Sequence, residues 1–230
     1  QRNFEAAVSA AERARLIPTN ADRADLIAAR AYLERFRERD AADDLTNARL
    51  RLARLDPRRF TPRERIELIV GLGEALYLDQ SYGAAANLFA SALDAVDGPT
   101  PDARERVLDW WATALDRVAQ PGQDTERQGI YDRVWKRMRT ELAARPGSAT
   151  AAYWLAAAAR GRGDLQAAWE AAEAGWVRAP LASDRGESLR ADLDRLMLHG
   201  ILPERAKALA QPAETLRAEW ERFKEKWEKR

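Results

Sequence analysis

The sequence predicts an all-α protein built from helix hairpins. Apolar residues recur at three- and four-residue spacing along nearly the whole chain, and no stretch of 4–8 residues alternates as a half-buried strand would. Breakers fall between these runs, at Pro18, Pro57, Gly98-Pro99, Pro121-Gly122, Pro146-Gly147, Pro180 and Gly200. Small residues return at fixed intervals inside the runs, where glycine costs about 1 kcal/mol relative to alanine and so needs a reason.

In chain order, Phe4-x2-Ala7-x3-Ala11 opens the first helix, and 21–39 forms a second with Leu26, Ala29, Leu33 and Phe36 on one face. Leu45-x2-Ala48-x3-Leu52 follows. Thr61-Pro62-Arg63-Glu64 then supplies an N-cap hydroxyl, a first-turn proline and a glutamate able to reach back. That helix carries Ile69-x2-Leu72-Gly73-x2-Leu76 and is paired with Tyr82-x2-Ala85-x3-Phe89. Thr100-Pro101 starts the next, with Leu108-x2-Trp111-Ala112-x2-Leu115, followed by Tyr131-x2-Val134-x3-Met138. The last clear pair is Ala152-x2-Leu155-Ala156-x2-Ala159 with Leu165-x2-Ala168-x3-Ala172. Beyond Pro180, Leu189, Leu193 and Leu196 make a helix face predicted to stop near Gly200. Pro203 is expected to start a short helix, and Pro212 another bearing Leu216, Trp220, Phe223 and Trp227.

The two clearest pairs share one register. Ile69 precedes Ala85, and Ala152 precedes Ala168, by 16 positions, while Val134 and Ala168 are 34 apart. The pattern resembles the tetratricopeptide repeat (TPR), W-x2-L-G-x2-Y then A-x3-F then P over 34 residues, with aliphatic residues here in the tryptophan and tyrosine places. The resemblance implies a right-handed superhelix, an α-solenoid of stacked hairpins. Residues 1–180 would be the array of about four and a half hairpins, and 181–230 the capping helices. One hairpin would carry a ten-residue insertion near 119–126, between its two helices. Gly73 and Ala85 would mark a close helix crossing. The opening helix has no first-helix partner, which lies either upstream of Gln1 or nowhere, the helix then acting as a cap.

Composition narrows function by exclusion. The 38 basic and 37 acidic residues nearly cancel, so the one-sided charge of a nucleic-acid binder is missing. With 46% hydrophobic residues the chain has enough apolar mass to fold, and with 33% charged its surface is heavily solvated. The absence of cysteine excludes disulfides, thiolate metal sites and a cysteine nucleophile. No apolar run approaches the roughly 18 residues of a spanning helix, so no membrane insertion is expected. The chain begins at Gln1 rather than Met, which leaves room for an upstream signal and leaves the compartment open.

No GxSxG, P-loop, GxGxxG or HExxH motif occurs. His199 is the sole histidine and is expected at a helix end in a structural role. Asp43-Asp44 and the pair Glu225–Lys229 read as solvated surface. The expectation is therefore no enzyme, with no catalytic, metal or cofactor residues. Of the eight tryptophans, Trp135, Trp169 and Trp176 are expected in the core, and Trp111 in a packing position. Trp110 would lie at an edge, because neighbours on a helix point about 100° apart.

TPR arrays are scaffolds that hold an extended peptide or a helix of another protein on the face lined by first helices. Carried over position by position, that face would be Glu67, Val70, Glu74 and Tyr77, then Asp109 and Thr113, then Tyr153 and Arg160. Its acids would repel a terminal carboxylate, so chaperone-tail binding is not expected. The mixed lining suits a ligand with apolar and basic groups. The alternatives are an assembly module acting by self-association, an enzyme or small-molecule binder built in the concavity, and a repeat segment whose activity resides upstream.

Overall fold

A computed structural model describes residues 3–96 and 98–228, and those residues are helical with no strand among them. The chain divides into two compact units, Gln1–Ala114 and Leu115–Arg230, and the division falls inside one helix.

In the first unit, α1 (Phe4–Arg15) packs along α2 (Ala21–Arg39), and α2 along α3 (Ala42–Leu52). α4 (Pro62–Leu78) pairs with α5 (Tyr82–Asp94), and α6 (Pro101–Ala119) begins in this unit. α1, for which the sequence offers no first helix of its own, packs on the first helix of the following pair. Its Asn3 side chain accepts the Ala6 N–H at 3.0 Å as an N-cap. The expected cap of α4 is present in full. Thr61 Oγ1 accepts the Glu64 N–H at 3.3 Å, and the Glu64 carboxylate accepts the Thr61 N–H at 2.9 Å. A hydrogen bond from Arg23 on α2, with those from Thr61, lowers the Glu64 carboxyl to about 2.

The core of this unit is Leu26, Ala29 and Leu33 of α2, Ala48 and Leu52 of α3, and Leu68 and Ala75 of α4. Gly73 and Ala85 are both buried. A Cβ on Gly73 would stand 2.7 Å from the ring of Phe89, itself fully buried, so the glycine is what lets that ring reach the backbone of α4. The A-x3-F spacing therefore delivers its phenylalanine onto the glycine of the preceding helix.

Charges tie the helices where apolar contact ends. Arg35 grips Asp44 with two hydrogen bonds, at 2.8 and 2.5 Å, joining α2 to α3. Arg51 of α3 holds both Asp25 of α2 and Glu12 of α1. Asp44 therefore departs from the solvated reading of Asp43-Asp44, since it is only 2% exposed. A guanidinium nine positions earlier on the facing helix makes that burial tolerable.

In the second unit, α7 (Asp124–Ala144) packs along α8 (Ala149–Gly161), and α8 along α9 (Leu165–Arg178). Only residues 120–123 separate α6 from α7. The extra length expected between those helices is therefore carried as added helix, with α7 starting seven positions ahead of Tyr131. Val134, Met138, Ala156, Ala168 and Ala172 are fully buried, as the repeat register requires. Gly161 repeats the device of Gly73: its Cβ would lie 2.5 Å from the ring of Tyr131, whose hydroxyl donates to Asp116 at 2.7 Å.

The helix bearing Leu189, Leu193 and Leu196 does not stop at Gly200. α10 (Glu187–Leu196) widens into a π-helical turn over Met197–Ile201 and runs on as α11 (Leu202–Leu209). Pro203 has no N–H to give, and its ring would crowd the carbonyl of the preceding turn, so the widened turn lets the helix pass the proline. His199 is accordingly exposed inside this turn rather than at a helix end. α12 (Ala213–Glu228) lays Trp220 against Trp169 and Trp176 of α9, with Leu216 buried one turn earlier, and Trp220 stacks on Phe223 at 5.6 Å. Trp169 and Trp176 are core as expected. Trp135 is not. It lies 100° from the buried stripe of α7, partly exposed between the guanidinium groups of Arg139 and Arg162 at 4.6 and 4.5 Å. Lys229 lies outside the described residues, and with it the pair Glu225–Lys229.

Candidate partner-binding face

Within the first unit, α2 and α4 lie side by side, and Arg23–Glu64 and Arg30–Glu67 ion pairs cross between them at 2.5 and 3.1 Å. Aromatic contacts join α4 to α6. The Tyr77 ring lies 5.7 Å from Trp110, and Trp110 meets Phe89 edge-on at 5.5 Å. Tyr82 closes on Tyr77 at 5.3 Å. The guanidinium of Arg37 sits 5.0 Å over Trp110 and is 3.4 Å from Glu34, one turn back on α2. Three helices thus converge on a ridge of Arg37, Tyr77 and Trp110, with Glu74 beside it on α4.

Glu74 differs from its neighbours. Glu67 is paired with Arg30, whereas no hydrogen bond or ion pair engages the Glu74 carboxylate among the described residues. Its pKa is raised to about 7, first by burial and then by the Glu34 carboxylate, against the opposing charges of Arg30, Arg37 and Arg106. Near neutral pH the group is therefore poised between a neutral carboxylic acid, which donates a hydrogen bond, and a carboxylate without a cation.

Of the residues expected on this face, Glu67, Glu74 and Tyr77 are brought together, and Val70 lies partly buried on the same helix. Asp109 is exposed and Thr113 partly buried on α6. Tyr153 and Arg160 belong to the second unit. There Tyr153 meets Trp154 edge-on at 5.6 Å. Arg160 is committed to Glu204 of α11, through Nε at 3.0 Å and Nη2 at 2.6 Å, so its guanidinium is held by the chain itself rather than offered to a ligand. Arg30, Glu34, Arg37 and Trp110 were missing from the sequence reading of the face. Arg30, Glu34 and Arg37 follow one another at helical spacing beside the buried stripe Leu26–Ala29–Leu33, which is the signal that would have found them.

Comparison with protein-family models, with curated proteins and with solved structures finds no match. No helix among the described residues is long and apolar enough to cross a membrane. No three acidic or histidine side chains among them group as metal ligands would.

Proposed function

We propose that the chain is a TPR-like α-solenoid scaffold without catalytic activity, holding an extended peptide or a helix of a partner protein against α2, α4 and α6. The observation that carries this reading is the pairing of an aromatic ridge, Tyr77 and Trp110, with one partly buried acid that lacks a cation. Aromatic side chains presented by rigid helices lose little entropy on contact and are the usual anchors of protein interfaces. Of the arginines near Glu74, Arg30 is engaged by Glu67 and Arg37 by Glu34 and Trp110, while the exposed Arg106 acts on it only through space. Glu74 thus sets the sign of the ligand, and a lysine or arginine flanked by apolar side chains fits it.

A peptide library displayed against the full chain tests this. Enriched peptides should carry a basic residue next to an aromatic or aliphatic one. Tyr77→Ala should weaken their binding at least tenfold, and Glu74→Gln should erase the preference for the basic residue. Enrichment of acidic or uncharged peptides, or unaltered binding by Tyr77→Ala, would refute the assignment.

A further inference from the structure

At one end of the first unit the α1–α2 turn and the α3–α4 connection lie together. Ion pairs of Arg59 with Asp22 at 2.8 Å and of Arg23 with Glu64 at 2.5 Å tie them. The tip of the turn is apolar: Leu16 is 82% exposed and Ile17 52%, just ahead of a tight 3-10 turn over Pro18–Asn20. Leu50, one turn before Arg54 on α3, is a third exposed aliphatic at 53%. We propose that this end docks on an anionic phospholipid bilayer, with Leu16 and Ile17 seated among the lipids and arginines on the headgroups.

The charge at this end is one-sided. Residues 51–65 carry six arginines against Asp56 and Glu64. Two of the six are engaged, Arg51 by Asp25 and Glu12 and Arg59 by Asp22, and Glu64 is taken by Arg23 and the Thr61 cap. Arg54, Arg58, Arg63 and Arg65 are exposed and form no ion pair among the described residues. Asp56 is the carboxylate that faces them, and it accepts the backbone N–H of Arg58 at 2.9 Å. Glu67, one turn beyond Arg63, is paired with Arg30. Four cations against one carboxylate leave a surplus of three, in a chain whose total is +1. Counting every partner in, Arg15 and Arg23 with Glu12, Asp22 and Asp25, leaves the same surplus.

The pairing of apolar tip and cations chooses the partner. A nucleic-acid backbone would use the guanidinium groups and leave Leu16 and Ile17 in water. Phe60, the aromatic ring of the connection, is buried and offers no base a stacking face. A protein would have to supply a pocket for a protruding turn. A bilayer supplies a yielding apolar phase and a plane of phosphates at once. Each arginine near an anionic leaflet is worth about a fivefold gain in partitioning. Such docking needs no spanning helix.

The test floats the full chain with phosphatidylcholine vesicles, with and without about 30% phosphatidylserine. Binding should require the anionic lipid and fall at least tenfold between about 0.1 M and about 0.5 M salt. Leu16→Ser with Ile17→Ser should weaken it at least tenfold, and Arg54→Gln with Arg58→Gln by about 25-fold, five for each cation. All four side chains are exposed, so helical circular dichroism should not change. Arg139→Gln with Lys207→Gln, exposed cations of the second unit, should leave binding as it is. The chain has no cysteine, so Thr19→Cys places a single polarity-sensitive fluorophore at the tip, and its emission should brighten on the anionic vesicles. Should the aliphatic pair fail to fold when changed, that probe and the arginine pair still decide. No binding to anionic vesicles, an equal loss with the second-unit pair, or a probe that stays dark overturns the proposal. So does a DNA duplex bound more tightly than the vesicles and indifferent to Leu16 and Ile17, which would assign the arginines to nucleic acid. The peptide face on α2, α4 and α6 stands or falls separately, because Tyr77→Ala leaves every group at this end unchanged.

Discussion

Replacing Glu74 by glutamine isolates the energetic consequence of that unpaired acid. Its carboxyl titrates near 7 in the fold, where burial and Glu34 oppose ionisation, against an ordinary value of 4.5. Between those two values the folded chain holds a proton that the unfolded chain has released. Stability therefore falls as pH rises: the contribution is fully present below about 4.5 and gone above about 7. A tenfold change in a protonation equilibrium is about 1.4 kcal/mol, which puts an upper bound of about 3.5 kcal/mol on the loss. Because the side chain is only partly buried, water relaxes some of it, and about 1–2 kcal/mol is expected. Glutamine keeps the shape and cannot ionise. Urea denaturation of both proteins from pH 4.5 to 8.5, followed by tryptophan fluorescence, reads the difference. The two should match within about 0.5 kcal/mol at the acid end, and Glu74→Gln should be the more stable at pH 8. Titrating groups that do not act on Glu74 cancel in that difference. A gap that does not change with pH would show that Glu74 ionises normally, and a wild type that gains on the variant as pH rises would reverse the sign altogether.

Two other substitutions probe the packing and the ion pairs. Gly73→Leu should destabilise by about 1–3 kcal/mol through overpacking, and Gly73→Ala should destabilise as well despite its better helix propensity, because its Cβ would press on Phe89. Pairing Gly73→Ala with Phe89→Leu should recover part of the loss, and an unchanged melting temperature for Gly73→Leu would remove the close approach as an explanation. Asp44→Ala leaves the Arg35 guanidinium partly buried without its carboxylate and should cost about 3 kcal/mol, measured by denaturant unfolding, whereas Arg35→Met with Asp44→Leu should restore most of it. A double variant as weak as the single one would mean that packing, not charge, fixes that contact.

Helix identity was legible because it depends on local period and on breakers, which lie within a few residues of what they decide. The capping box at Thr61 and the burial of Phe89, Ala85 and Gly73 follow from spacing alone. The helix through Pro203 was not legible. A proline reads as a start or a stop, and only the packing of the flanking segments against α9 makes a widened turn preferable to a break. Asp44 and Trp135 were misjudged for the same reason, since each depends on an arginine brought in by another element: Arg35 from α2 and Arg162 from just past the end of α8. Half of the candidate face came from α4, where Gly73 and the apolar spacing gave the sequence a register to read. Arg30, Glu34 and Arg37 on α2 had no small residue to fix that register.

Placed against the buried acids, the partly buried Glu74 is an exception that calls for a cause. Asp25 is held by Arg51 and Arg15, Asp44 by Arg35, and Glu141 by Arg137 and Arg145. The sequence is rich enough in arginine to have supplied a fourth partner. Arg30 and Arg37 already flank the site on α2, yet each is turned to another glutamate, Glu67 or Glu34. A conflict of this kind, set among contacts that otherwise agree, tends to persist where something outside the fold resolves it. A cation delivered by a partner would do so: it would draw the Glu74 proton off near neutral pH and convert the acid's destabilising contribution into binding free energy. The same linkage requires that such binding strengthen as pH rises toward 7, the direction in which the free protein loses stability.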